Sequence, residues 1–218
     1  MRSYAEYCAI AKSLDVIGDR WTLLLIRELA LRGPCRYTDL RNGLPGIATN
    51  LLAQRLRELE DAGVVRREEA PPPIATTLFA LTERGEQLRP TLEALTRWGL
   101  PLMGEQRPDD AVRSHWLASA IGGMLVDREP HGPPVTVELH VGDQPIVIET
   151  RDGAIHTSLG QSARPDAVLT GAARPVLGVL RGSIALDEAR ANGVTLEGDR
   201  SAVRRILFAP PAPDGAAA

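Results

Sequence analysis

The feature that most constrains this sequence is a series of short helical segments that ends in two strand-like runs around a triple proline. Apolar residues recur at helical spacing in residues 8–17, 20–31, 37–41 and 49–62. Strands are predicted at residues 64–68 and 76–81, on either side of Pro71, Pro72 and Pro73. Residues 83–103 are again helical, with a bend or interruption at Pro90. This half of the chain therefore predicts a mixed α+β domain.

Helices followed by a two-stranded ribbon are typical of a winged helix-turn-helix, whose second helix enters the major groove while the ribbon touches the DNA backbone. Here the groove helix is residues 49–62, with Gly63 at its end and Leu52, Leu56 and Leu59 facing inward. Its opposite face bears Thr49, Asn50, Ala53, Gln54 and Arg57. Asn and Gln bond adenine, and Arg bonds guanine or phosphate, so these types suit base readout. Polarity alone favours the alternative, an ordinary solvated face on an amphipathic helix.

Charge is distributed unevenly along the chain. The formal net charge is -3, yet residues 32–67 carry seven arginines against four acidic residues. This local excess predicts contact with phosphates. The candidate DNA-binding residues are Arg36, Thr49, Asn50, Gln54, Arg55, Arg57 and Arg66.

The second half follows a different pattern after a polar stretch at residues 106–110. A helix is predicted over residues 111–126, an alternating strand through 135–141, and a hairpin turning at Asp152 and Gly153. Short strands follow at residues 167–170 and 194–197, with two helical segments between them. We expect domains at 1–106 and 107–208, and a frayed Pro- and Ala-rich tail at 209–218.

The first half resembles the HxlR family of transcriptional regulators over about residues 5–100. The blocks that carry the resemblance are YCAIA (7–11), VIGDRWTLLLIREL (16–29), RYTDL (36–40), LPGI (44–47), NLLAQRLREL (50–59), AGVV (62–65) and LTERG (81–85). The resemblance implies a fold similar to MarR-type repressors and a homodimer on a palindromic operator, held by the first and last helices of the domain. Ala48 stands where the family commonly has Ser. Its loss removes an N-cap worth about 1 kcal/mol and leaves Thr49 as an alternative cap.

The resemblance makes Cys8 a redox candidate, because several regulators of the HxlR family use an N-terminal cysteine at the matching position as a thiol sensor. The alternative is a small buried residue at the dimer seam. We favour that alternative, because Glu6 lies close by and opposes ionisation of the thiol. Cys35 lies outside the family pattern and is assigned no role. Two cysteines exclude a disulfide scaffold and an all-cysteine metal site.

The second half resembles the sterol carrier protein family over about residues 111–208, through PDAVLTG (165–171), LGVLRG (177–182) and VTLEGD (194–199). The resemblance implies a twisted sheet covered by helices, an α/β domain with an apolar tunnel for fatty-acyl or sterol-like ligands. The candidate pocket residues are Trp116, Ile121, Met124, Leu177 and Leu180. The alternative is that these apolar faces simply pack on the sheet.

The sequence lacks the motifs of several classes of enzyme and metal-binding protein. His115, His131, His140 and His156 are too scattered for a zinc site, and no Gly-x-Ser-x-Gly elbow, phosphate-binding Gly-rich loop or dinucleotide fingerprint occurs. We therefore expect neither an enzyme nor a cofactor. Apolar runs too short to cross a bilayer and the lack of a signal-like start predict a soluble cytoplasmic protein.

The sequence thus predicts a two-domain transcriptional regulator that binds double-stranded DNA as a homodimer. Its C-terminal domain is expected to bind an apolar or lipid-like ligand or to serve in assembly. The alternative class is a lipid-binding protein whose winged helix acts only as a dimerisation scaffold.

Overall fold

The computed structural model describes residues 3–70, 76–104, 107 and 109–209. These residues divide into two compact units, Met1–Leu102 and Met103–Ala218. The triple proline at 71–73, Gln106 and Pro108 of the polar stretch, and residues 210–218 of the expected tail lie outside the described residues. Within the described ranges, no helix is long and apolar enough to span a bilayer.

The N-terminal unit is a set of helices around a small antiparallel sheet. Its helices are α1 (Ala9–Ile17), α2 (Thr22–Arg32), α3 (Tyr37–Gly43), α4 (Thr49–Asp61), α5 (Glu83–Glu86) and α6 (Arg89–Gly99), followed by a 3-10 turn at Leu100–Leu102. Its strands are β1 (Cys35–Arg36), β2 (Val65–Glu69) and β3 (Thr77–Leu81), in the order β1-β3-β2. Helices α3 and α4 followed by the β2–β3 hairpin form the predicted winged helix-turn-helix.

The core of this unit is made by α2 and α4 against the sheet. Leu25, Ile26 and Leu29 of α2 are buried, and so are the three inward leucines of α4. Phe79 and Leu81 of β3 complete this cluster. The inward stripe predicted for α4 is therefore confirmed.

The two ends of α4 are held differently. Its first residue is Thr49, and Ala48 before it provides no side-chain cap. The other end closes in a Schellman motif, because Gly63 N–H donates to Glu60 O at 2.9 Å and Val64 N–H donates to Leu59 O at 2.9 Å. Gly63 has φ +68°, the left-handed conformation that this motif requires and that glycine adopts without strain.

Three sequence-based expectations for this unit need correction. Helix α3 extends to Gly43, so Asn42 and Gly43 belong to it and not to the following loop. The segment 83–103 is interrupted at Gln87 and Leu88 and not at Pro90, which lies in the first turn of α6, where a proline fits because no amide donor is needed. Leu24, expected on the inward face of α2, is 41% exposed because Leu25, Ile26 and Leu29 define the buried stripe.

The C-terminal unit is built on a five-stranded sheet. The strands of this unit are β4 (Leu125–Asp127), β5 (Thr136–His140), β6 (Ile146–Arg151), β7 (Ala154–Leu159), β8 (Ala167–Thr170), β9 (Thr195–Gly198) and β10 (Ile206–Phe208). Its helices are α7 (Ser114–Gly122), α8 (Ala173–Arg181), α9 (Leu186–Ala191) and α10 (Arg200–Arg205). The sheet has the order β7-β6-β5-β8-β9, in which β5 and β8 are parallel, and β4 pairs separately with β10. Its core joins the sheet to α7, α8, α9 and α10.

The hairpin predicted around Asp152 and Gly153 is present. Arg151 pairs with Ala154, and the two turn residues have φ of 53° and 75°. Positive φ at both central residues is the geometry that a two-residue hairpin favours and that an Asp-Gly pair supplies.

The helix predicted over residues 111–126 is shorter, from Ser114 to Gly122. Asp143 fixes its start, since Ser114 N–H donates to Asp143 Oδ1 at 2.9 Å. Met124, expected on this helix, therefore lies in the turn beyond it, before β4. The sequence also failed to predict β1, β4, α10 and β10.

Candidate nucleic-acid interface

The outward face of α4 is polar and open. Thr49, Asn50, Gln54 and Arg57 are exposed, and Ala53 between them is half-buried. The Tyr37 hydroxyl donates to the Thr49 carbonyl at 2.7 Å, which ties the start of α4 to the start of α3. The structure thus brings the predicted base-contacting residues together on one face of a helix anchored at its start to the preceding helix.

Gln54 is already oriented along this face. Its Nε2 donates to Glu58 Oε1 at 2.9 Å, one helical turn further on. Burial raises the pKa of Glu58, but the hydrogen bonds from Gln54 and Arg55 outweigh it and lower that pKa overall. Glu58 therefore stays ionised at neutral pH and keeps the Gln54 amide in one orientation.

Three of the basic residues in this region are engaged within the chain. Arg55, one of the candidates, is only 13% exposed and forms ion pairs with Asp19 and Glu58. Arg66, the candidate on β2, pairs with Glu68 and donates to the Leu81 carbonyl. Arg67 Nε lies 2.7 Å from Glu60 Oε1. A DNA phosphate would have to displace a carboxylate from each of these three arginines.

Other arginines of this region are available to bind DNA phosphates. Arg36, Arg41 and Arg57 are exposed and form no ion pair with any residue that the structure describes. Arg36 precedes Tyr37, so its side chain begins next to the residue that anchors α4. Exposed guanidinium groups without a carboxylate partner, on α4 itself and on the preceding helix, are suited to phosphate binding.

Sequence reasoning missed one residue that shapes this region, the fully buried Glu28 of α2. Its Oε1 accepts from Arg27 Nη2 at 2.9 Å. A Cβ at Gly43 would lie 2.3 Å from Glu28 Oε2, so the carboxylate packs directly against the end of α3. The signal in the sequence is a carboxylate inside an otherwise apolar helical stripe, a combination that proteins rarely bury unpaired.

The two cysteines differ sharply in environment. Cys8 is exposed in the single chain and lies just before α1, where its carbonyl accepts from Lys12 N at 2.9 Å. Cys35 is buried in β1, and this burial raises its pKa to about 11. Cys35 is therefore a protonated thiol at neutral pH and a poor nucleophile.

Two helices of this unit have apolar faces that the unit itself does not cover. Ile10 is 71% exposed and Leu14 is 40% exposed on α1, with Tyr7 fully exposed just before it. On α6, Leu95 is 43% exposed and Trp98 is 71% exposed. We call these the terminal-helix faces. Large apolar side chains concentrated in this way are typical of an interaction surface.

The candidate pocket residues of the C-terminal unit fall into two groups. Ile121 and Leu180 are buried in its core, and Leu177 packs against that core. Trp116 and Met124 are half-buried. The structure therefore brings the first three together in one apolar cluster, with Trp116 and Met124 more accessible to solvent.

Comparison with known proteins gives consistent matches to the N-terminal unit. Residues 16–107 match the family described as HxlR-like helix-turn-helix. The chain is 33% identical to the HTH-type transcriptional regulator YvaP of Bacillus subtilis over 95 residues, which is 43% of this chain and 87% of YvaP. It is 37% identical to the HTH-type transcriptional regulator YkvN of the same organism, covering 42% of this chain and 77% of YkvN. The solved structure of the reduced form of the transcriptional regulator YodB from B. subtilis is 29% identical, with a TM-score of 0.40, and covers 46% of this chain and 100% of that one.

Proposed function

Because the chain belongs to the HxlR family of helix-turn-helix transcriptional regulators, we propose that it binds a palindromic operator as a homodimer, with α4 in the major groove. The observation that carries the proposal is the exposed polar face of α4, with Thr49, Asn50, Gln54 and Arg57 backed by buried leucines. Asn50 and Gln54 offer the bidentate amides that read adenine, and Arg57 suits guanine or phosphate. Arg36 and Arg41, which form no ion pair within the described part of the chain, supply phosphate contacts.

A dimer follows from the number of bases that one α4 can read. Four side chains reach only a few base pairs, which gives too little discrimination against the rest of a genome. A two-fold dimer doubles the contacts and matches a palindrome. The terminal-helix faces supply the contact surface, because Ile10 of α1 and Trp98 of α6 are each 71% exposed in the single chain.

Gln54→Ala is expected to weaken binding to the specific operator by about 1–3 kcal/mol and to change binding to random DNA little. Arg36→Ala should weaken both, since a phosphate contact carries no sequence information. Arg36→Ala should also reduce the slope of log affinity against log salt by about 1. Electrophoretic mobility shifts with the DNA flanking the gene, against a shuffled duplex over a range of salt concentrations, measure both.

Arg128→Ala, at an exposed arginine of the C-terminal unit that follows β4, is the matched control for loss of one positive charge. Equal losses on specific and random DNA for Gln54→Ala would remove α4 from base readout. If the protein shifts none of these duplexes, the winged helix has another role in this chain.

We further propose that the C-terminal unit is a sterol-carrier-like module that binds an apolar ligand and modulates DNA binding. Its five-stranded sheet with helices packed against it, and the apolar cluster around Ile121, Leu177 and Leu180, support this proposal. Trp116 and Met124 are half-buried, so each leaves some apolar surface that a hydrocarbon chain could contact. A change of tenfold in operator affinity requires the ligand to distinguish the two states of the protein by about 1.4 kcal/mol.

Native mass spectrometry of the full chain is expected to show a co-purified lipid, or one added oleate per chain. Leu177→Trp should reduce its occupancy severalfold by filling the cluster, whereas Leu159→Trp, an exposed position on β7, should not. A chain that carries no lipid before or after incubation with oleate would make this unit a structural appendage.

A further inference from the structure

We propose that a cleft between α1 and α5 in the N-terminal unit binds a small organic anion, a carboxylate on an apolar body. The cleft has a volume of about 320 Å³. Lys12, Ser13 and Val16 of α1 line one side. Arg84 of α5, with Gln87 and Leu88 after it, lines the other. This site is separate from the polar face of α4 and from the apolar cluster of the C-terminal unit.

The charges around the cleft select an anion. Arg84 is exposed and has no ion-pair partner in the part of the chain that the structure describes. Lys12 Nζ lies 3.7 Å from Asp15 Oδ2, but that carboxylate also accepts from Tyr4 N at 2.8 Å and Ser3 Oγ at 2.9 Å. Among the described residues that line the cleft, none carries a carboxylate. A ligand carboxylate would therefore meet the Arg84 guanidinium without a competing acid in the described lining, and the Lys12 ammonium in competition with Asp15.

The remaining surface selects the body of the ligand. Val16 and Leu88 are half-buried and pack against the core of the unit, so they offer an apolar floor. Gln87 adds a hydrogen-bonding amide to the lining, and the Ser13 hydroxyl, which donates to the Ala9 carbonyl at 2.9 Å, can still accept. The volume lies at the lower end of the range for small-molecule sites, about 300–1,000 Å³, which suits a molecule of one or two rings.

The position of the cleft connects it to DNA binding through Val64, which also lines it. Val64 N–H closes the C-terminal end of α4, and Val64 O accepts from Thr82 N at 3.0 Å. Thr82 Oγ1 donates to Gly63 O at 2.6 Å and accepts from Gly85 N at 3.1 Å. A Cβ at Gly85 would lie 2.3 Å from Val64 O, so α5 is seated directly on the end of α4.

A ligand in the cleft therefore touches α1 on one side and a rigid extension of α4 on the other. Because α1 bears one of the terminal-helix faces, the spacing of α1 and α5 would set how α4 is presented in a dimer. A ligand that favours one spacing shifts the protein between states of different operator affinity. Ligand binding itself stands apart from DNA binding, whereas this regulatory consequence rests on the proposed function.

The test uses 2-naphthoate as the anionic probe and 2-naphthamide as its neutral match, in calorimetric titrations of the full chain without DNA. We expect naphthoate to bind about tenfold or more tightly than naphthamide, because the amide lacks the charge that Arg84 and Lys12 recognise. Arg84→Gln should weaken naphthoate binding about tenfold. Ser13→Phe, which keeps both cations and fills the cleft, should abolish it. Arg128→Gln is the charge-matched control, since Arg128 is exposed in the C-terminal unit.

Unchanged naphthoate binding in Arg84→Gln and Ser13→Phe, or no binding by the parent at millimolar concentration, would overturn the proposal. So would a dimer dissociation constant that responds to Arg84→Gln while naphthoate does not bind, because a second copy would then occupy the cleft. Mobility shifts with and without naphthoate distinguish ligand binding from its effect on DNA binding. A chain that binds naphthoate and shifts no operator fails the proposed function alone, and one that shifts its operator but binds no naphthoate fails this inference alone.

Discussion

Ile10→Glu and Trp98→Glu are each expected to convert the dimer to monomers and to lower operator affinity by about a hundredfold, or nearly 3 kcal/mol. Both side chains are 71% exposed in the single chain, so the monomer should fold normally with either glutamate. In the dimer the same carboxylate would be buried without a partner, which costs several kcal/mol. Size-exclusion chromatography with light scattering measures the mass, and mobility shifts measure the affinity.

Leu159→Glu provides the control for this prediction, because it introduces the same charge at a side chain that is 40% exposed on β7. It should leave mass and affinity unchanged. Circular dichroism confirms that each variant retains its helices. Dimers that persist in both Ile10→Glu and Trp98→Glu would place the subunit contact away from the terminal-helix faces.

The fold of the N-terminal unit could be predicted where local patterns are strong. Leucines at 52, 56 and 59 specify the inward face of α4, and Gly63 specifies its end. The cap expectations were less useful, because α4 begins at Thr49 with Ala48 as its N-cap residue and no side-chain cap hydrogen bond, so Thr49 does not cap it. Strand β1 could not be predicted, because Cys35 and Arg36 form a strand only through pairing with Phe79 and Leu78, more than 40 residues away in sequence.

The same limit applies to the candidate interface. Helical spacing places Gln54 and Arg57 on the outward face of α4, and the structure agrees. No local pattern reveals that Arg55 pairs with Asp19 or that Arg66 bonds the Leu81 carbonyl. Tertiary contacts thus decide which arginines remain available to bind phosphate. Counting charges along the sequence treats all of these arginines as equal.

A buried ion pair beside strands β4 and β10 of the C-terminal unit joins segments that are far apart in sequence, which no local pattern could predict. Arg205 Nε lies 2.6 Å from Asp127 Oδ1, and Nη2 lies 2.8 Å from Oδ2. The Asp127 side chain is 0% exposed and that of Arg205 is 6% exposed. Arg205 also donates to the Pro133 carbonyl, so one guanidinium joins the end of α10 to β4 and to the segment before β5.

Asp127→Ala is expected to lower the free energy of unfolding of the C-terminal unit by about 3 kcal/mol, because it leaves the Arg205 cation buried without its partner. Urea unfolding followed by circular dichroism measures the loss. The double variant Asp127→Leu with Arg205→Met should recover most of it, since apolar groups of similar size need no partner. Asp187→Ala, which removes a surface carboxylate 71% exposed beside Arg200, should change stability little. A double variant as unstable as Asp127→Ala would show that packing, not the unpaired charge, causes the loss.

The same ion pair predicts how stability depends on pH. The hydrogen bonds from Arg205 hold the pKa of Asp127 below its ordinary value of 3.8. A carboxyl group with a lowered pKa in the folded state stabilises the fold above its unfolded pKa, because the unfolded chain binds the proton more readily. This contribution is therefore complete above pH 3.8 and is lost as pH falls from there through the lower folded-state pKa. The difference in stability between the parent chain and Asp127→Ala should accordingly be constant near neutral pH and shrink below about pH 3.8, and a difference that stays constant through this acid range would mean that Asp127 is not the titrating group.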